Sequence, residues 1–391
     1  MAQLLFWFAA LLLLHTYFFY PVILFALDGV SKFFSHAGRP EPGGGLADMR
    51  NEFWPAVSLV VAAHNEVACI TEKLTNSLAL DYPPEFFDVV IGSDGSTDGT
   101  DEAVGLCTDN RVKLSTAARA GKTSVLNRCI PSARGEIIIL SDANTMIDPA
   151  AIKRLVRHFR DPEVGAVCGK LKLFNPTKKD YEESAYWAYE SRIKLYEGKR
   201  GAVMGANGGL YAIRRALFTQ LPASTIVDDF VIPLRMLAGG YKVNYEAEAV
   251  AFEETTEDYE QEFGRRARIA AGNFQSLQLV PGLLNPLAGF PAFAFWSHKL
   301  LRWCAPALMG IAFLANLALI ESPLYRGTLS AQLAFYGLAW AGKAKLGGHG
   351  ALRRVSSVAY YFVTMNYAIA VGFWRFVRNS QRAAWDRTAR A

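Results

Sequence analysis

Four short runs of apolar and β-branched residues limit what this chain can fold into: VSLVVAA (57–63), FDVVIGS (87–93), VKLSTA (112–117) and EIIILSD (136–142). A continuous apolar run suits a strand buried on both faces of a parallel sheet; a strand with one wet face would alternate. Helix-patterned stretches separate the runs: one from about 66 to 80, then DEAVGLC, then KTSVLNRCI (122–130). Strands alternating with helices predict one α/β domain over 55–255, with ligands at the carboxyl ends of its strands.

The two ends of the chain have a different character. Residues 4–27 read LLFWFAALLLLHTYFFYPVILFAL, long enough for a helix through a bilayer core, which takes roughly 20 apolar residues. A signal peptide is the competing reading, but no basic residue precedes the run and no small-x-small cleavage site comes after it. Lys32, Arg39 and Arg50 come next and favour a cytosolic side for the α/β domain. RPEPGGG (39–45) marks a linker within 31–54. Beyond Phe290 the chain turns apolar again. PAFAFWSHKLLRW (291–303), with His298, Lys299 and Arg302 among aromatics, predicts an interfacial amphipathic helix. Segments 304–320, 329–346 and 355–377 are candidate spans; Asn366 and Arg375 interrupt the last, which is expected to be interfacial or re-entrant. A tail with Arg375, Arg378, Arg382, Arg387 and Arg390 closes the chain.

A net charge of +5 is too weak to imply nucleic acid and fits an anionic lipid surface or phosphate ligands better. The five cysteines, Cys69, Cys107, Cys129, Cys168 and Cys304, form no Cys-x-x-Cys pair, so no disulfide framework or zinc site is read from them, and a reduced cytosolic domain is the plain expectation.

The strong polar motifs stand where predicted strands end. His64-Asn65-Glu66 comes after the first, Ser93-Asp94-Gly95-Ser96-Thr97-Asp98-Gly99-Thr100 after the second, and Asp142-Ala143-Asn144 after the fourth. Glycines there let backbone approach a ligand. Asp94 can accept from a base imide or a ribose hydroxyl, while Thr97 or Asp98 can simply cap the next helix. Asp142 and Asn144, two residues apart, suit a hard divalent cation bridging phosphates, or a helix cap near Pro149. Gly121-Lys122-Thr123 lacks the upstream glycine of a phosphate loop, Thr116 standing in its place, yet Lys122 can still meet a phosphate. The adjacent Asp228 and Asp229 point different ways, so one of them is expected to serve the reaction. Arg265, Arg266 and Arg268 suit a departing diphosphate, or a basic helix face at the headgroups.

In this order, VVAAHNE, SDGSTDGT, GKTSVLN, SDANT, GANGGLYAIRR, VDDF and the arginine cluster resemble the family 2 glycosyltransferases, in the membrane-bound branch of cellulose, chitin and hyaluronan synthases and related polysaccharide enzymes. The resemblance covers 55–280. It implies a GT-A type α/β domain, its sheet mostly parallel, flanked by transmembrane and interfacial helices. It further implies an integral protein of a bacterial inner membrane whose catalytic domain faces the cytosol. By position, Ala63, Glu66 and Asp94 would form the nucleotide pocket, with Asp94 on the uridine. Lys122 and Arg265 would lie by the diphosphate, Asp142 and Asn144 would hold Mg²⁺ or Mn²⁺, and Gly205 to Gly209 with Arg214-Arg215 would border donor and acceptor. Asp229 would be the catalytic base, with Asp228 beside it and Arg268 on the leaving group. Two departures stand out: Asn144 replaces the second metal-site aspartate, and Gln-x-x-Arg-Trp reads Arg265-Arg266-Ala267-Arg268-Ile269.

The implied reaction is inverting transfer from a UDP-sugar to a lipid-linked or glycan acceptor among membrane lipids, with homo-oligomerisation an option. The alternatives are a processive synthase that secretes its polymer and a catalytically inactive membrane scaffold. Ile269 in the platform position and the few apolar segments after the domain favour addition of one or a few sugars.

Overall fold

A computed structural model describes residues 1–34, 53–174, 183–254, 259–344 and 350–381. The expected linker at 39–45 and the tail arginines Arg382, Arg387 and Arg390 lie outside them.

The chain begins with a single rod: α1 (Ala2–Leu14), a π turn (His15–Phe19) and α2 (Tyr20–Phe34). The α/β part comprises β1 (Val57–Ala63), α3 (Val67–Leu78), β2 (Phe87–Asp94), α4 (Thr100–Gly105), β3 (Val112–Ala117), α5 (Lys122–Ser132), β4 (Ile137–Asp142), β5 (Thr145–Ile147), α6 (Ala151–Val156), β6 (Val164–Phe174), α7 (Glu183–Gly198), β7 (Tyr211–Arg214), α8 (Asp228–Ala238) and β8 (Lys242–Glu254). Then come α9 (Tyr259–Leu279), α10 (Phe290–Ala294), a second π turn (Phe295–Leu300), α11 (Leu301–Leu317), α12 (Pro323–Lys343) and α13 (Ala351–Val377).

The sheet order is β3-β2-β1-β4-β7-β6-β8-β5. The four strands foreseen from their apolar runs make its parallel half. β1 and β2 are buried along their whole length, as strands covered on both faces must be. β3, half exposed, takes the edge. β7 then runs antiparallel to both β4 and β6, so the sheet is mixed but mostly parallel.

One face is packed by α3 and α6, through Ile70, Leu74, Ile152 and Leu155. The other face is packed by α5 and α8, and that core continues without a break into Tyr20, Leu24, Phe295 and Trp303 of the apolar rods. A further cluster of Phe6, Ala9, Leu308, Ala312 and Tyr325 joins α1, α11 and α12.

Among the described residues two helices are long and apolar enough to cross a membrane, Ala2–Gly29 and Phe290–Leu317. The second joins 291–303, expected as an interfacial helix, to the candidate span that begins at 304. The two are one continuous rod, because the π turn absorbs the polar residues 297–299 without breaking the helix. Of the candidate segments, 329–343 falls on α12 and 355–377 on α13, which are helical but less apolar, while 345–346 lie outside the described residues. α13 lies along α9, where a Cβ at Gly372 would stand 2.5 Å from Ala270 Cβ; only glycine permits that approach.

Candidate active site

β1, β2 and β4 end level: Ala63 pairs with Ser93, and Ala62 with Asp142. His64, Asp94 and Asp142 therefore share one edge. Lys73 of α3, with no exposed surface, braces that edge from below by donating to Ser141 Oγ at 2.8 Å and to the Thr145 carbonyl at 2.5 Å. These partners bracket the Asp142-Ala143-Asn144 turn. Ser141 Oγ in turn donates to the Gly209 carbonyl at 2.7 Å, tying the turn to the glycine-rich loop. Burial lowers Lys73 to about 7, with Asp142 opposing.

A cavity of about 710 Å³ opens above the edge. Its polar end is lined by Glu66, Lys122, Asp142, Asn144, Asp228, Asp229, Glu253, Arg265, Arg266 and Arg268. Lys122, the first residue of α5, donates to Asp142 Oδ1 at 2.6 Å and stands 3.7 Å from Asp228 Oδ2. Burial alone would lower its pKa; the carboxylates of Asp142, Asp228 and Asp229 outweigh burial and raise it. Asp228 and Asp229 open α8, and both reach the cavity. Burial first, then the Asp228 carboxylate, push Asp229 up to about 6 against the pull of Lys122. A Cβ at Gly208 would lie 3.1 Å from Asp229 Oδ2 and 3.3 Å from Asp142 Oδ2, so this glycine keeps the space between two carboxylates open.

Arg265 and Arg266 both donate to Glu262, at 2.9 Å and 2.6 Å. Arg268 donates no hydrogen bond among the described residues and faces the cavity; burial lowers its pKa, with Asp229 and Asp228 opposing. All three arginines thus line the cavity, the first two also paired with Glu262 on their own helix.

Other expected residues fall elsewhere. Asp94 accepts from the backbone N–H groups of Ala120 at 2.7 Å and Gly121 at 2.9 Å, and neither it nor Ala63 is among the lining residues. Asp98 caps as foreseen, accepting from Thr100 N and Val67 N at 3.1 Å each. Asp142 and Asn144 cap no helix; Asp148 Oδ1 instead accepts from Ala150 N, just ahead of α6, at 3.1 Å. Arg214 and Arg215 do not border the cavity, a correction with a clear cause. β7 is antiparallel to β4, so Arg214 pairs with Ile137 at the far end of β4 from Asp142. There Arg214 serves the Phe159 and Asp161 carbonyls and Glu136.

His298, Lys299 and Arg302, expected on an interfacial amphipathic helix, line the same cavity. They turn inward onto α7: Lys299 donates to Glu190 Oε1 at 2.8 Å, Arg302 to Glu190 Oε2 at 3.0 Å, and His298 bridges Glu190 and Glu197. Burial would raise Glu190; His298, Lys299 and Arg302 outweigh it and hold the carboxyl well below its ordinary range. Lys194, buried on α7, donates to Asn207 Oδ1 at 2.5 Å in the glycine-rich loop. Nothing local in the sequence marked Lys73, Lys194, Glu190 or Glu253, because their partners are distant in the chain.

The oxygen donors suit a hard divalent cation. The Asp142 and Asp229 oxygens flank Gly208, Asp228 Oδ2 is buried with no hydrogen-bond partner among the described residues, and Asn144 gives its amide nitrogen to Glu253 at 3.2 Å. No group of three or more His, Cys, Asp or Glu among the described residues is arranged to hold a metal by itself, so phosphate oxygens would have to complete a shell.

Comparison with known proteins agrees with this geometry. Residues 55–272 match the sequence model of "Glycosyltransferase like family 2". "Probable glycosyltransferase YdaM" of Bacillus subtilis is 27% identical over 237 residues, 56% of this chain and 55% of that protein. "Poly-beta-1,6-N-acetyl-D-glucosamine synthase" of Staphylococcus aureus is 25% identical over 229 residues, with the same shares. The chain thus spans about half the length of the curated relatives it matches. A mannosyltransferase of Pyrobaculum calidifontis, PcManGT, solved with GDP-Man and Mn²⁺, superposes with a TM-score of 0.67 at 21% identity, over 96% of this chain and 99% of that one, a likeness of fold. With the family's pattern matched over more than half of its length and its carboxylates and cations gathered in one cavity at the strand ends, the chain belongs to the family 2 glycosyltransferases, with a GT-A type α/β fold.

Proposed function

We propose that this enzyme transfers a hexose from a UDP-sugar to a lipid-linked glycan acceptor at the cytosolic face of a bacterial inner membrane, with inversion at the anomeric carbon. One observation carries the reading: a single cavity holds Asp229, Asp142, Lys122 and Arg268 at one end and residues of the first apolar rod and α13 at the other.

Asp229, with a pKa close to the working range, takes the proton from an acceptor hydroxyl as general base. The oxygen attacks the anomeric carbon while the bond to UDP breaks, and Lys122 and Arg268 neutralise the departing diphosphate. One displacement inverts the centre, and no covalent nucleophile is needed. Asp142, with Asn144, would hold Mg²⁺ or Mn²⁺, which supplies further neutralisation of the diphosphate. Glu66 and Arg265 border the donor. Ala63 and Asp94 act from behind the wall, Asp94 by fixing the turn that launches Lys122.

The neighbour's GDP-Man and Mn²⁺ support a nucleotide-sugar donor and a metal. The synthase name among the relatives favours a second reading, a processive enzyme that exports its polymer. The test is the full chain in liposomes with a panel of UDP- and GDP-sugars, reading nucleotide release and product length. A discrete lipid-borne product one sugar longer, lost in EDTA and restored by Mn²⁺ or Mg²⁺, is expected. Long polymer made without a partner supports the second reading, and no nucleotide release with any donor overturns both.

A further inference from the structure

The cavity does not end at the carboxylates. Its other lobe is lined by Tyr17 and, on α13, by Tyr361, Phe362, Met365, Asn366 and Ile369; Arg302, 5.6 Å from the Tyr17 ring centroid, borders it on the side of the carboxylates. Tyr17 sits in the π turn of a rod long and apolar enough to cross a membrane, and Thr16 pins that turn by donating to the Ser297 carbonyl at 2.7 Å. The Tyr17 and Phe362 rings meet edge to face, centroids 5.3 Å apart. Val358, one turn along α13, also lines the lobe yet is 64% exposed, so the lobe runs out to open apolar surface. Within it Asn366, only 5% exposed, donates to the Phe362 carbonyl at 2.9 Å, while its Oδ1 accepts nothing among the described residues.

We propose that the space between the first apolar rod and α13 is a lateral portal for the hydrocarbon chain of a lipid acceptor, with Tyr17 and Phe362 as its gate. The proposal rests on the lipid-acceptor reading above and assigns that acceptor its route. A hydroxyl bound for Asp229 on a molecule whose tail stays in the bilayer has its shortest route through an opening between the apolar helices that line the same cavity. The α13 wall, with Val358, Phe362, Met365 and Ile369, suits a methylene chain, which asks for no hydrogen bonds, and Arg302 beside Tyr17 suits the polar head that follows it. The rings of Tyr17, Tyr361 and Phe362 offer flat faces to a sugar head group. A buried carbonyl oxygen without a donor carries a desolvation cost, and a passing acceptor hydroxyl would satisfy Asn366 Oδ1. The seam at Gly372 and Ala270 holds α13 against α9, so opening falls to side-chain rotation of the gate and not to departure of the helix.

The test joins a Tyr17→Cys/Phe362→Cys double variant of the full chain with 1,2-ethanediyl bis-methanethiosulfonate, a bridge that reductant removes. Each single variant, treated alike, controls for reaction at native cysteines. The readout is the ratio of transfer to hexadecyl glucoside over nucleotide released to water, which a general loss of activity leaves alone. Bridging should lower this ratio by about tenfold, a change of about 1.4 kcal/mol in relative barrier, and reductant should restore it. A ratio that bridging leaves unchanged, at whatever absolute rate, overturns the portal. If the unbridged enzyme prefers methyl glucoside to hexadecyl glucoside, the lipid-acceptor reading itself fails, and that result appears before any bridge is formed.

Discussion

Lys122 donates to Asp142 Oδ1 at 2.6 Å across the mouth of the strand edge, joining the first turn of α5 to the end of β4. Two neighbouring elements of a nucleotide fold thereby place a cation and a carboxylate where a diphosphate and its counter-ion would compete for them. The arrangement is balanced: Asp142, Asp228 and Asp229 face Lys122, Lys194 and Arg268.

Asp229→Asn should lower turnover by roughly 10²–10⁴-fold, the usual effect of losing a general base, and leave nucleotide binding near normal. In the parent enzyme the rate should rise with pH through about 6, as Asp229 gives up its proton. The sign for stability is opposite. A carboxyl raised on folding binds its proton more tightly when folded, so its contribution is present below about 4 and is lost as pH rises through 6. A rate profile paired with urea titrations at several pH values checks both; a rate unchanged in Asp229→Asn moves the base elsewhere.

Gly208→Ala should lower activity at least tenfold, a barrier of about 1.4 kcal/mol or more, with little loss of stability. The added methyl would stand 3.1 Å and 3.3 Å from the two carboxylate oxygens, tighter than ordinary contact, and would occupy the space a reacting group needs. Turnover and melting temperature measured on the same preparation separate the two effects.

Lys73→Met keeps the volume and removes the donor that brackets Asp142. The Thr145 carbonyl loses its bond, at a cost of about 1–3 kcal/mol. Support lost behind a metal ligand typically weakens metal affinity about 10–100-fold. Titrating activity with Mn²⁺ should therefore show a higher half-saturation in Lys73→Met and a lower one in Asn144→Asp, where a carboxylate replaces an amide. Identical Mn²⁺ curves for all three proteins would count against a metal at this turn.

Glu190→Gln should destabilise the protein by about 3–5 kcal/mol, as expected when one partner of a buried ion group is removed and the others stay. Lys299, Arg302 and His298 would keep their burial without their common carboxylate. Because Glu190 is held below its ordinary range, its contribution is present above about 4.5 and fades as pH falls further. Thermal unfolding in one detergent at about pH 3.5 and pH 7 measures the gap between the two proteins, which should narrow at the lower pH; equal melting temperatures at pH 7 would show the cluster to be dispensable.

The sequence by itself determined the parallel half of the sheet, the helices between its strands, and the placing of Asp142, Lys122 and Asp229 at strand and helix ends. Local rules account for these: unbroken apolar runs must be buried on both faces, and Asp, Asn and Gly stop strands and start helices. It also predicted an apolar helix over 4–27 and candidate spans at 304–320, 329–346 and 355–377, although not that 291–303 and 304–320 are one rod. Tertiary structure alone decided which charges meet. Antiparallel pairing of β7 carried Arg214 to the far edge. Packing of the second rod on α7 brought Lys299 and Arg302 onto Glu190. Packing of α13 on α9 supplied the cavity's second wall. A side chain's type and spacing say what it can bind; its partner is set by contacts between residues far apart in the chain, and no local pattern encodes those.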